Sequence, residues 1–381
     1  MMPTRRETIG MLAAAAMCPV PALAADGQGL DRIARAKGLR FGSALSSNPK
    51  GASFDNPAYA ALLRTDCGLL VAENEMKWQH MQPAPDRLDF AAFDRMLSTA
   101  ERNRMIMRGH NLVWHRRKWM PRWVEAHDFG ARPATEAARL LTERVESVTR
   151  RYGRRITSYD VVNEAVTPET GKLEDTALSQ AMGSVEATLD LAFHTARASA
   201  PHAELVYNDY MSWEPGNAAH RAGVLRLLEG FRRRGTPVDA LGVQSHIITA
   251  GPDTRGSVLA YQSEWRRFLD AVSAMGYGLL ITEFDVRDNG LPADPVARDR
   301  AVANYARAYL DVTLAQPQLR DVLAWGLTDR FSWIEGFEPR PDKAPRRPCP
   351  YDADYHAKPL RAAVAAALAA APRRSARRSA P

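Results

Sequence analysis

Only three cysteines occur among the 381 residues, and no apolar run reaches the roughly 20 residues that a membrane-spanning helix needs. The second shortage means that no membrane span is expected, and the first allows few disulfides at most. The formal net charge is +7, but residues 1–24 contribute +1 and the last eleven contribute +4, which leaves +2 for the body of the chain. So small an excess gives no electrostatic footprint for nucleic acid. The body also lacks a Pro/Ser-rich linker, so one domain is expected rather than two.

The two ends differ from the body in composition. Arg5 and Arg6 precede the short apolar stretch Ile9–Ala16, and Ala22–Leu23–Ala24 offers small residues for cleavage. That is the pattern of a twin-arginine-type export signal over residues 1–24, and it implies a periplasmic or extracellular location. Cleavage after Ala24 would remove Cys18 and leave Cys67 and Cys349. An oxidising compartment would permit a disulfide between them, with two free thiols as the favoured reading. Residues 372–381 are Arg, Ser, Ala and Pro with little to bury, and they read as a disordered basic tail.

With 45% hydrophobic and 25% charged residues, the body between these ends can bury a large core. Short apolar, β-branched runs recur at 39–45, 68–72, 105–112, 156–162, 204–208, 240–245, 279–284 and 322–327. Between them, apolar residues fall at helical spacing in 57–65, 90–103, 134–152, 183–200, 217–234, 258–275 and 294–315, with a last such segment at 359–370. Eight strands alternating with eight helices is the count of a (β/α)8 barrel. The expected fold class is therefore α/β, a single TIM barrel over residues 25–371. Right-handed crossovers would place every strand C-terminus on one face, where such barrels carry their catalytic groups.

Two glutamates stand at those ends, Glu164 after the run 156–163 and Glu283 within Ile281–Thr282–Glu283–Phe284–Asp285. Paired carboxyls are what glycoside hydrolysis requires. One must be protonated to donate to the leaving oxygen, and the other must be ionised to attack or stabilise an oxocarbenium-like centre. Polar and aromatic residues crowd other strand ends. They are Glu73–Asn74–Glu75–Met76–Lys77–Trp78, Arg108–Gly109–His110–Asn111–Leu112–Val113–Trp114–His115, Tyr207–Asn208–Asp209–Tyr210, Gln244–Ser245–His246, and Trp325 with Trp333.

Together these motifs resemble the family 10 glycoside hydrolases over about residues 30–365, from the second strand to the eighth. The resemblance implies a cofactor-independent, retaining endo-β-1,4-xylanase acting as a monomer on xylan or xylo-oligosaccharides. Matched position by position, it makes Glu164 of Val-Val-Asn-Glu-Ala the acid/base and Glu283 of Ile-Thr-Glu-Phe-Asp the nucleophile. Retention needs the two carboxyls about 5–5.5 Å apart. Sharing one site should keep the proton on Glu164, its pKa raised toward ~6–7. Asn163 would bond the sugar 2-hydroxyl, His246 would bond the nucleophile, and Asp285 would orient His246. Gln244 would be a further contact near the reacting sugar. Glu73, Asn74, Lys77, His110 and Trp114 match the glycone subsites, Trp325 and Trp333 the tryptophans packed on the sugar chain, and Tyr210 the aglycone tyrosine.

Two departures stand out. The family often follows its Trp-His pair with Ser-Gln, the glutamine helping to exclude a hydroxymethyl group, whereas this chain has Arg116–Arg117–Lys118. Met211 stands where asparagine is usual after Asn-Asp-Tyr. The first opens an alternative in which β-glucan, aryl cellobiosides or short xylo-oligosaccharides are preferred. Plainer readings also exist: Glu73 and Lys77 as a surface ion pair four residues apart, the tryptophans as packing, and a non-catalytic glycan-binding barrel. Trp119 and Trp123 read as loop packing, and Asp160 as structural near the acid/base, with a hydrogen bond to a neighbouring strand as the alternative. His110 and His115 invite a metal, but the first strand offers no ligand, and no metal is expected.

Overall fold

The structure, a computed structural model, describes residues 28–47, 52–249 and 255–374. The expected export signal and residues 375–381 of the expected tail lie outside the described residues. The strands are β1 (Arg40–Leu45), β2 (Leu69–Ala72), β3 (Ile106–Trp114), β4 (Ile156–Asn163), β5 (Glu204–Asp209), β6 (Ala240–Val243), β7 (His246–Ile248), β8 (Gly278–Arg287) and β9 (Leu319–Ala324). All pairings among them are parallel. β6 pairs directly with β8, and β9 returns to β1, which closes an eight-stranded barrel. The short β7 runs alongside the far end of β8. The single (β/α)8 TIM barrel expected from the sequence is the fold, and each expected strand and helix has its counterpart.

The apolar runs form strands because both their faces are covered. On the outward side, Phe41, Leu70, Met107 and Ile281 belong to the large core shared with the helices. On the inward side, Ala44, Leu69, Val71, Leu323 and Trp325 form one layer, and Val206, Ala240 and Leu280 another. Polar groups also occupy the barrel interior. The Arg108 guanidinium is 2.7 Å from Asp160, both side chains being 1% exposed, and its Nε donates to Ser158. A charge buried this deeply is tolerated because its partner and hydrogen bonds come with it. Gly109 permits the close approach of β3 and β4, since a Cβ there would lie 2.3 Å from the Tyr159 ring.

Strand limits differ from the apolar runs where the chain reaches the cleft. β3 continues to Trp114 and β8 to Arg287, because the ladder persists after the side chains have turned polar. The sixth run breaks after Val243, where Ser245 takes φ +65°, and resumes as β7. The expected tail begins at 372, but Arg374 is tied down. Its amide donates to the Lys37 carbonyl and its guanidinium to the carbonyls of Leu314, Gln316 and Leu319. Cys67 and Cys349 are buried and unpaired. No helix among the described residues is long and apolar enough to cross a membrane.

The first and last helices of the barrel meet through one carboxylate. Asp66 Oδ1 accepts from the Leu30 amide at 3.1 Å and from Arg361 at 2.7 Å, while Oδ2 accepts from the Tyr351 hydroxyl at 2.6 Å. Asp66 therefore joins the start of helix Leu30–Arg35 to the closing helix Pro359–Ala370. Replacing it strands Arg361 in a buried position, so Asp66→Ala should cost about 3–5 kcal/mol in urea unfolding. A loss below about 1 kcal/mol would show the latch to be ordinary surface pairing.

Candidate active site

A cleft of about 590 Å³ opens over the C-terminal ends of the barrel strands. Each residue matched to a catalytic or sugar-binding role lines it except Asp285, which stands behind His246. Glu164 follows the last residue of β4 with φ +56°, a left-handed backbone that costs a β-substituted residue about 1–2 kcal/mol. Bonds on both sides hold it there. The Glu164 amide donates to the Asn208 carbonyl at 2.8 Å, and the Ala165 amide to the Tyr207 hydroxyl at 3.1 Å.

The Glu164 carboxyl accepts from Trp114 Nε1 (2.9 Å), Gln244 Nε2 (2.8 Å) and Asn163 Nδ2 (3.1 Å). Burial pushes its pKa up. The Gln244 and Trp114 bonds pull it down, but Asp209 and Glu283 add negative charge nearby, and the net shift is upward. Glu283 has the opposite outcome from a comparable start. Burial again pushes upward, but His110, the His246 bond and charge, and Lys77 outweigh it, and the net shift is downward. Asn208 links the pair. Its amide donates to Glu283 Oε1 and to Asn163 Oδ1, both at 2.8 Å, and Asn163 donates on to Glu164.

Three cationic or ionisable groups surround Glu283. His246 Nε2 is 3.3 Å from Oε2, and its Nδ1 is 2.9 Å from Asp285 Oδ1. Burial alone would discharge His246, but Asp285 and Glu283 prevail and raise its pKa from 6.5 to about 9. Asp285 is itself fixed by a 2.8 Å bond from Trp333 Nε1. His110 Nδ1 is 2.9 Å from Asp160 and 4.0 Å from Glu283 Oε1. Asp160, read from sequence as structural, thus bridges Arg108 and His110 on the neighbouring strand. Lys77 is 7% exposed and donates to Asn74 at 3.0 Å, so it is no surface ion pair with Glu73. Burial lowers its pKa. Glu73 is pushed up to about 7, by burial first and then by Glu75 and Glu283.

Aromatic rings wall the cleft. Trp325 meets His110 edge to face at 5.2 Å, and Trp333 lies 5.1 Å from the His246 ring. Tyr210 accepts from Arg116 at 2.8 Å. Among the described residues, no group of three or more His, Cys, Asp or Glu is placed to hold a metal ion.

The profile of glycosyl hydrolase family 10 matches residues 29–367. This chain belongs to that family. Among its relatives, endo-1,4-beta-xylanase 5 of Pyricularia oryzae is 30% identical over 349 residues, spanning 90% of this chain and 79% of the relative. Endo-1,4-beta-xylanase B of Thermotoga neapolitana is 29% identical, over 81% of this chain and 83% of that one. Among solved structures, native xylanase 10B from Thermotoga maritima superposes with a TM-score of 0.77 at 27% identity, covering 89% of this chain and 98% of its own. The chain is a glycoside hydrolase.

Several groups that line the cleft of this family 10 hydrolase or stand behind it carry no role in the sequence reading. Asn208 stands inside the Tyr207–Asn208–Asp209–Tyr210 motif, and Gly242 makes room for it, since a Cβ there would lie 2.3 Å from Asn208 Oδ1. Arg116 stands in the sequence as a departure from the family pattern, and its Nε is 4.0 Å from Glu164 Oε2. Its guanidinium also bonds Glu174 and the Val166 carbonyl, tying the loop after β4 to Tyr210. Trp119 corrects its reading as loop packing, for it stacks on Trp114 at 4.7 Å and lines the cleft. Trp123 does pack, donating to the Gln82 carbonyl and meeting Trp78 edge to face. Glu214, Ser212 and Asn217 line the cleft beyond Tyr210, and no repeat or spacing signalled them.

His246 should titrate by NMR near pH 9, and therefore be doubly protonated at neutral pH. In Asp285→Asn, burial is opposed by less charge and the midpoint should fall to 6.5 or below. An unchanged midpoint would remove Asp285 as the cause.

Proposed function

We propose that this family 10 enzyme is a retaining endo-β-1,4-xylanase that cleaves internal β-1,4-xylosidic bonds of xylan, with Glu164 as acid/base and Glu283 as nucleophile. The observation that carries the residue roles is the divergence of two buried carboxyls, Glu164 pushed toward its neutral form and Glu283 toward its charged form. Xylan as substrate is supported by the names of the relatives. Glu283 attacks the anomeric carbon while Glu164 gives its proton to the departing glycosidic oxygen. The glycosyl ester then carries no charge on Glu283, and Glu164, now ionised, takes a proton from water as that water attacks the anomeric carbon and the ester bond breaks, which restores the Glu283 carboxylate and the Glu164 proton. The side-chain amides of Asn163 and Gln244 keep the Glu164 carboxyl in one orientation.

A broader specificity is favoured by one observation. Arg117, at the position where the family resemblance implies a hydroxymethyl-excluding glutamine, has its Nε 3.9 Å from Glu125 and does not line the cleft. On that reading β-glucan or aryl cellobiosides are turned over as well as xylan. Export is proposed for the full-length protein, through a twin-arginine-type signal cleaved after Ala24, and the N-terminus of the secreted product tests it.

Hydrolysis of xylan by Glu283→Ala should be undetectable, and wild-type products should appear first as the β-anomer by NMR; the α-anomer first would refute retention. Glu164→Ala should lose about 10²–10⁴-fold on xylan, and much less on an aryl glycoside whose leaving group needs no proton. The kcat/KM profile should be a bell. Its acid limb, from protonating Glu283, should lie below the ordinary 4.5 and its alkaline limb, from ionising Glu164, above it. An alkaline limb unmoved in Glu164→Gln would sink the acid/base assignment.

A further inference from the structure

Three consecutive basic residues follow Trp114–His115, and each meets a different environment. The Arg116 guanidinium is spent on Glu174, the Val166 carbonyl and Tyr210. Arg117 turns to Glu125, away from the cleft. Lys118 is exposed, lines the cleft and makes no ion pair among the described residues. Its ammonium rests 4.8 Å from the centroid of the Trp119 ring. Trp119 in turn lies flat on Trp114, 4.7 Å away with the rings 14° apart. Trp114 is anchored by its bond to Glu164, and Lys77 lies 4.5 Å from the centroid of its ring.

A lysine on a flexible stem ordinarily sweeps a wide volume of solvent, but the face of an indole attracts and localises its charge. The two-indole stack therefore sets one unpaired cation at the rim of the cleft, a fixed reach from the candidate acid/base. A main chain of neutral sugars lying on the cleft floor has hydroxyls to offer and no charge to match. A group that branches from that chain toward the rim does reach such a cation, and its complementary chemistry is a carboxylate.

We propose that Lys118, held by Trp119, is a subsite for the carboxylate of a uronic-acid branch, so that the enzyme favours acidic, glucuronosyl-substituted xylan. This rests on the xylanase reading above. A solvent-exposed ion pair contributes roughly a two- to fivefold preference. It is also screened within a few ångströms at high ionic strength.

The test compares glucuronoxylan with the same polymer after its carboxylates have been reduced to alcohols, which keeps every branch and removes every charge. Wild-type kcat/KM should be about two- to fivefold higher on the acidic polymer, and about 0.5 M NaCl should erase the difference. Lys118→Ala should bring the ratio close to one, and Lys118→Glu should take it below one. A ratio unchanged in both variants would overturn the subsite. Equal loss on both polymers would also overturn it, by showing that Lys118 touches the neutral main chain. A wild type that cleaves neither polymer would bring down the xylanase reading itself, an outcome distinct from an active enzyme without charge preference.

Discussion

Two carboxyl groups buried in one cleft must be held in unlike protonation states, although burial by itself pushes both toward neutrality. The cleft is organised around breaking that symmetry. Glu283 is met by His246, His110 and Lys77, whereas the groups bonded to Glu164 are amides and an indole, with the Arg116 guanidinium at 4.0 Å already engaged by Glu174 and with Asp209 and Glu283 as the negative charges nearby. Cations act on the charge itself, while neutral donors fix direction with a smaller effect on ionisation. The proposed division of labour between nucleophile and acid/base therefore depends on how the barrel divides charged and neutral partners between the two carboxyls.

The groups around Glu283 are themselves conditional. His246 stays charged because Asp285 faces its other nitrogen, and Asp285 is held by Trp333. His110 leans on Asp160, which is paired to Arg108 inside the barrel. Lys77 is set by Asn74 and the Trp114 ring. Each chain of contacts runs from the reacting centre back into strand positions that packing has already fixed. An ion pair in the barrel interior contributes little net stability, but losing one partner leaves the other uncompensated, so the arrangement is stiff.

The eight strands and eight helices were legible because a strand covered on both faces must be apolar almost throughout, and a helix on a barrel must repeat every three to four residues. The strand ends were legible for the converse reason. Glu164, Glu283, His246 and their neighbours are polar where a pure core has no use for them. The limits of β3 and β8 were misjudged because a ladder of backbone hydrogen bonds does not require apolar side chains once it faces a cleft. The break at Ser245 depends on a left-handed backbone at a residue that carries no glycine-like mark.

What escaped the sequence was partnership. That Asn208 couples Glu283 to Asn163, that Arg116 reaches Glu164, and that Trp119 lies on Trp114 are facts of distance between segments far apart or differently turned. Three adjacent basic residues look equivalent as text, yet one is buried, one turns outward and one faces the cleft. The sequence by itself determined the barrel, the strand ends that carry the chemistry and the two carboxyls at its centre, because periodicity and residue type are local properties. Only the tertiary structure supplied the physical cause that drives one carboxyl toward charge and the other toward neutrality, because a pKa answers to burial and to neighbours supplied by other strands.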